Sequence, residues 1–175
     1  MHIPSWITLL LLSAMLVGCT TPSDKASCGQ RDWYELGRHD GAQGATLGRQ
    51  EQYRAECSSE FGAHAETIYA NGRNAGLVEF CQVDNAFQLG RMGINYLYVC
   101  PTTMESTFLI SYRRGQQARL LELKKKDLEA KIETLSQRLQ TMVDSTLASR
   151  AINTELSELK KLRAANDVEL TKISK

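Results

Sequence analysis

The feature that most limits how this chain can fold is a glycine-bearing octapeptide that recurs. Tyr34-Glu35-Leu36-Gly37-Arg38-His39-Asp40-Gly41 is matched by Tyr69-Ala70-Asn71-Gly72-Arg73-Asn74-Ala75-Gly76. A partial copy is Phe87-Gln88-Leu89-Gly90-Arg91-Met92-Gly93, and a weaker one runs from Phe108 through Ser111 to Gly115. At spacings of three and four, the aromatic and small residues share one helix face. Gly costs about 1 kcal/mol against Ala inside a helix, so the repetition needs a compensating gain. Close approach of two helix backbones supplies it: Gly leaves room, and the aromatic of another copy fills it. Gly41, Gly44 and Gly48 extend the face. A membrane-type glycine pair is disfavoured by Arg38, Asp40, Arg49 and Glu51. A phosphate-binding loop follows a strand, and no strand pattern precedes Gly37.

The C-terminal part is a different object. From Gln116 to Lys175 there is no Gly, Pro, Cys, Trp, Tyr or Phe. Residues 19–112 carry 7 basic and 11 acidic groups, and residues 113–175 carry 14 and 9. Leu121, Leu128, Leu135 and Met142 recur every seven residues, with Ala118, Ile132 and Leu139 at the companion position and Lys125 as its exception. This is a coiled-coil seam. Its phase falters at 143–146, and Ile152, Leu156, Leu159 and Leu170 resume it. Two forms fit: one continuous helix, or a hairpin turning near Asp144–Arg150 whose arms bury each other's seams. The hairpin is favoured because it buries both seams in one chain; a homo-oligomeric coiled coil buries them between chains. Lys124-Lys125-Lys126 reads as a solvated helix face paired with nearby acids. A net charge of +1 gives no global basic field, so no nucleic-acid partner is expected.

The N-terminus reads as an address. Ile7 to Val17 is apolar except for Thr8 and Ser13, too short to span a bilayer and suited to a signal-peptide core. It ends in Leu16-Val17-Gly18-Cys19, which resembles the lipobox of bacterial lipoproteins, although Met1-His2-Ile3-Pro4 lacks Lys and Arg. The resemblance implies cleavage after residue 18 and acylation of Cys19, with residues 19–27 as a tether. Thr20 in place of Asp implies outer-membrane sorting, with the lipid-anchored chain facing the periplasm. Four cysteines remain: Cys28, Cys57, Cys81 and Cys100. An even number in an exported domain reads as two disulfides with three possible connectivities. A helix expected over about Ala63–Phe80 separates its ends by roughly 25 Å, whereas bridged Cα atoms lie within about 7 Å. Cys57–Cys81 is therefore disfavoured, and Cys28–Cys57 with Cys81–Cys100 is the expected pairing.

The ordered motifs Asp32-Trp33-Tyr34-x-x-Gly37-x-x-Asp40-Gly41, Cys57, Tyr69-x-x-Gly72-Arg73-x-x-Gly76-Leu77, Phe80-Cys81, Asn85-Ala86-Phe87-x-x-Gly90 and Tyr98-Val99-Cys100-Pro101 resemble the domain of unknown function 2799 family of Gram-negative lipoproteins. The resemblance covers about residues 28–115 and implies no activity. Asn85-Ala86 departs from the Asn-Gly expected of that family, which weakens the case for a tight turn there.

Catalytic signatures are thin. No H-E-x-x-H or G-x-S-x-G occurs, and no Cys pair is spaced for zinc. His39 beside Asp40 reads as surface or capping chemistry, and Glu60, Glu66 and Glu79 as ordinary helix acids. Asp32 reads as an N-cap with Glu35 three residues on. Trp33, Tyr34, Arg38, Asp40, Tyr69 and Arg73 are the candidate binding residues; no catalytic residue, metal site or cofactor is expected. The fold expected is all-α: a disulfide-stapled domain of glycine-packed helices over 28–115, then a helical hairpin or coiled coil over 116–175. The expected role is that of a non-catalytic envelope lipoprotein, with an envelope protein or a second copy as partner through the C-terminal helices. The alternative is a peptidoglycan- or glycan-binding module or cell-wall enzyme, with Trp33, Tyr34, Tyr69 and Tyr98 lining a cleft.

Overall fold

A computed structural model describes residues 28–142 and 146–175. The expected leader (1–18), Cys19 and the tether (19–27) lie outside the described residues, as do residues 143–145 of the expected hairpin turn. The described residues form an all-α chain: a short 3-10 turn at Cys28–Gln30, then α1 (Trp33–Ala42), α2 (Gly48–Glu56), α3 (Ala63–Phe80), α4 (Val83–Met92), α5 (Thr102–Thr141) and α6 (Thr146–Ile173). Asp32 caps α1 by accepting from the Glu35 N–H at 3.0 Å. Pro101 precedes α5, where a missing N–H leaves no helix bond unmade.

Helices pack lengthwise in three pairs: α1 with α3, α4 with α5, and α5 with α6. The glycine motifs make the first two. A Cβ on Gly37 would lie 2.1 Å from the Tyr69 carbonyl oxygen, and one on Gly72 2.0 Å from that of Tyr34. Gly41 and Gly76 repeat this one turn on, against the carbonyls of Arg73 and Arg38. Contacts that advance together along both helices make α1 and α3 parallel. The second pair uses one such staple. Gly90 faces the Tyr112 carbonyl and Gly115 faces that of Phe87. Arg119 donating to the Met92 carbonyl and Arg91 paired with Glu122 lie further along both helices, so α4 and α5 are also parallel.

The structure corrects the register of the weaker copies. Gly115 meets Phe87 and Arg91, three residues before and one after Gly90, as Gly72 meets Tyr34 and Arg38, three before and one after Gly37, so Tyr112, not Phe108, is the counterpart of Tyr69. Gly93 is no staple: it ends α4 in the left-handed region at φ 74°, where Gly is favoured.

Disulfides close each parallel pair at its N-terminal end. Cys28 is bonded to Cys57, before α1 and α3, and Cys81 to Cys100, before α4 and α5, with Cα separations of 5.6 and 5.7 Å. This is the expected pairing; the length of α3 excludes only the Cys57–Cys81 alternative. The two pairs are one design used twice. Gly37 and Gly90 each lie nine residues after the first cysteine of their pair, and Gly72 and Gly115 fifteen after the second. Tyr53 and Tyr96 each lie four residues before that second cysteine. Each pair has its own core. Trp33, Tyr53, Cys57, Phe61 and Tyr69 fill the first; Cys81, Tyr96, Cys100, Phe108 and Tyr112 fill the second, joined by Leu77 and Phe80 from the end of α3.

The seam forms a hairpin within the chain. Ala118 and Leu128 on α5 are buried, as are Ile152 and Leu156 on α6. The helices are antiparallel: Arg114 donates to the Ile173 carbonyl, Asn166 to that of Leu121, and Arg163 approaches Glu129. Lys125, the charged residue in the seam, is matched by Asp167 at 2.9 Å. That hydrogen bond, first among several causes, holds the Asp167 carboxyl below its usual range. Of the span 144–150 expected to hold the turn, residues 146–150 are already in α6, and 144–145 lie outside the described residues. The boundary expected at 115/116 falls inside α5, whose 40 residues run about 60 Å through both head and arm.

Gly72→Ala is expected to destabilise the chain by about 2 kcal/mol, because overpacking outweighs the gain in helix propensity. Gly62→Ala has nothing within 4 Å of the new Cβ and is expected to cost less than about 1 kcal/mol, the loss being only that of Gly as the N-cap of α3. Urea unfolding of the two variants checks both.

Candidate functional site

The polar residues of the first glycine motif meet inside the first pair. Asp40 on α1 and Tyr69 on α3 are both buried, and the Tyr69 hydroxyl donates to Asp40 Oδ2 at 2.9 Å. Arg49 of α2 places Nε 3.9 Å from Asp40 Oδ1 and its guanidinium 5.3 Å from the Tyr53 ring centre. Arg73, also buried, donates from Nη2 to the Ala45 carbonyl at 2.7 Å, and the Ala45 N–H donates to the Asp40 carbonyl. The cluster thus ties the loop after α1 to α3. Burial, then Asp40, pushes the Tyr53 and Tyr69 hydroxyls above the usual tyrosine range. In the second pair, Tyr96 donates to Glu105 and accepts from the Cys100 N–H. Burial first, then Glu105, pushes it up to about 12.

The six candidate binding residues do not converge on one cleft. Trp33, Asp40, Tyr69 and Arg73 point inward, with Trp33 8% exposed and Tyr69 0%. Tyr34 and Arg38 are the more exposed of the six and flank the contact with α3, where Arg38 pairs with Glu35 at 3.0 Å and with Glu79 of α3 at 3.4 Å. Trp33 packs on Phe61 at 4.6 Å and edge-on to Tyr53, so its ring faces are spent on the core. Tyr98, the fourth aromatic of the glycan alternative, lies in the second unit with its ring exposed. Glu66 and Glu79 are held in ion pairs with Arg54 and Arg38, and His39 contacts Gln43. Among the described residues no three His, Cys, Asp or Glu side chains come together as a metal site. Tyr53 and Tyr96 were missed as members of these clusters; their shared position four residues before a cysteine was the available signal.

Among the open grooves of the described residues, two adjoin the paired helices. One, of about 620 Å³, lies between α4, α5 and the end of α6, with Val83, Phe87 and Ile110 as apolar lining and Asp84, Arg91 and Arg114 as charged lining. The other, of about 550 Å³, lies beside the first disulfide and includes Arg31, Trp33, Glu60 and His64. Both fall within the size range of small-ligand pockets. The loop from α4 to α5 exposes Ile94, Leu97 and Tyr98.

Tyr69→Phe leaves the buried Asp40 carboxylate without its hydroxyl donor and is expected to cost about 1–3 kcal/mol in urea unfolding. The raised tyrosines also predict alkaline sensitivity. Unfolded tyrosine ionises near pH 10, and the folded chain keeps these protons to higher pH. Their stabilisation is therefore complete below about pH 10 and is lost as pH rises through the folded values, about 12 for Tyr96. Tyrosinate absorbance is expected to show a late fraction that ionises with unfolding and shrinks in Tyr96→Phe.

No curated protein and no solved structure matches the chain. Residues 32–117 match the family model described as "Protein of unknown function (DUF2799)". That segment begins at the Asp32 cap and ends just past Gly115, enclosing all four glycine motifs. The chain resembles the DUF2799 family throughout its paired-helix head.

Proposed function

We propose that this chain is a lipid-anchored protein of the bacterial outer membrane, facing the periplasm, with a non-catalytic structural or interaction role. The observation that carries this reading is that head and arm share α5. One unbroken helix forms a wall of the second core and a strand of the seam, so the hairpin is held in a set direction from the head. The first described residue, Cys28, is bonded at the opposite end of the first pair, where the chain enters from Cys19. This arrangement suits a module that fixes one end and presents the other to an envelope protein or a second copy. The polar residues of the glycine motifs support the non-catalytic reading, because Asp40, Tyr69 and Arg73 are engaged in holding helices together. A sugar platform, needed by the glycan alternative, draws no support from the buried faces of Trp33 and Tyr69.

Metabolic labelling with palmitate, combined with membrane fractionation, tests the anchor. The chain is expected to take label and to sediment with membranes. Cys19→Ala is expected to lose both, since each acyl CH₂ contributes about 0.8 kcal/mol to membrane binding. Label retained by Cys19→Ala would refute the anchor. In-cell crosslinking of a tagged chain then reads the role: an envelope protein captured by the lipidated form alone supports it, and peptidoglycan captured instead favours the glycan alternative.

A further inference from the structure

The loop between α4 and α5 sends apolar side chains outward where packing does not require them. Between Arg91 and Glu105 there are thirteen residues without a charge. Tyr96 turns into the second core, against Phe108 and Tyr112. Its neighbours are outward: Leu97 is 58% exposed, and Tyr98, whose ring leans on that of Tyr96 with centroids 5.1 Å apart, is 74% exposed, with Met92 and Ile94 also exposed. Tyr98 has φ 55° and is the one non-glycine with positive φ among the described residues. A bulky residue is disfavoured there, and strain of this kind gathers at functional positions.

The twofold design supplies an internal comparison. Tyr53 and Tyr96 occupy the same place before the second cysteine of their pairs, and both fill a core. The three residues that follow are Arg54, Ala55 and Glu56 in the first unit, but Leu97, Tyr98 and Val99 in the second. Arg54 is ion-paired with Glu51 and Glu66, the ordinary solution for a wet surface. Counted back from the second cysteine, this place is charged in the first unit, where it closes α2, and uncharged in the second, where it lies in a loop.

We propose that Leu97 and Tyr98 insert into the interfacial layer of the bilayer to which Cys19 anchors the chain; this rests on the anchoring proposed above. An uncharged loop enters that layer without desolvating an ion, and a tyrosine ring with its hydroxyl suits the boundary between headgroups and acyl chains. Reach permits it. Nine residues from Cys19 to Cys28 extend up to about 30 Å. The 18 residues of α3, which run the length of the first unit, cover about 27 Å. The head then lies along the membrane, held by acyl chains at one end and this loop at its middle. Among the described residues no helix is long and apolar enough to cross a membrane, so the contact is a surface one.

The test uses the full chain, processed in cells, extracted from membranes and reconstituted into phosphatidylethanolamine–phosphatidylglycerol vesicles with brominated acyl chains. Tyr98→Trp and Leu97→Trp report the loop, Ala55→Trp reports the matching place in the first unit, and the unsubstituted chain supplies the Trp33 background. The expected result is blue-shifted emission quenched by shallow bromines in Tyr98→Trp and Leu97→Trp, and neither effect in Ala55→Trp. Emission that stays unquenched in both loop variants overturns the insertion while leaving the anchor intact. A blue shift without bromine quenching also overturns it, and assigns the loop to a protein contact. A chain that does not partition with membranes at all overturns the anchor and the insertion together.

Discussion

At Gly37, Gly72, Gly90 and Gly115 a carbonyl oxygen of the neighbouring helix occupies the space that a Cβ would need. The rest of the head depends on this contact. Helices that close bring backbone dipoles and Cα–H groups against carbonyls, a weak attraction at each point that recurs on both sides of the staple. The approach also sets what the aromatics do. Once the backbones touch, little width remains at the crossing, and the large rings are driven to the ends and flanks, where they gather as two separate cores.

Parallel packing brings a difficulty of its own. Like helix ends sit side by side, and their dipoles oppose. Both disulfides lie at those N-terminal ends, where covalent closure contributes about 3 kcal/mol through the unfolded state. The polar cluster around Asp40 serves the far end of the first pair, tying the loop after α1 to Tyr69 and Arg73. The second pair lacks that cluster and ends α4 with Gly93 instead. The duplication thus keeps the staple and the bridge and varies everything else. The separation between bonded cysteines falls from 29 to 19 residues, and α2 takes up the longer span in the first unit.

Much of this was legible in the residues. The limits of α3 followed from pattern, the exclusion of a Cys57–Cys81 bridge from the length of that helix, and the seam from seven-residue spacing. Lys125, an apparent flaw in the seam, needed Asp167 from α6 to make sense, and no local reading supplies a partner 42 residues away. The relative direction of the stapled helices was also hidden. Glycine on one face says that backbones approach, and the same residues serve parallel and antiparallel neighbours alike. The fourth motif was misaligned by one turn because Ser111 and Gly115 fit the pattern as well as Gly115 alone. Cysteine-based numbering would have separated the two. For the inward turn of Asp40, Tyr69 and Arg73 the signal was ambiguous, since a Tyr, an Asp and an Arg on one helix face suit a ligand as well as one another.

A helix that belongs to a core at one end and to a hairpin at the other is a lever. α5 enters beside the bridged Cys100, passes its staple at Gly115 and continues to Thr141 without a Gly or Pro after residue 115. Nothing in that span offers a hinge. A sideways load on the tip of the arm therefore turns about the stapled segment, and torque arrives at the Cys81–Cys100 bridge and at Phe108 rather than being lost in a joint. The head is built to take it, because a backbone-to-backbone contact leaves no side chain free to rearrange. Mechanical stiffness is in this sense the product of the missing methyl groups.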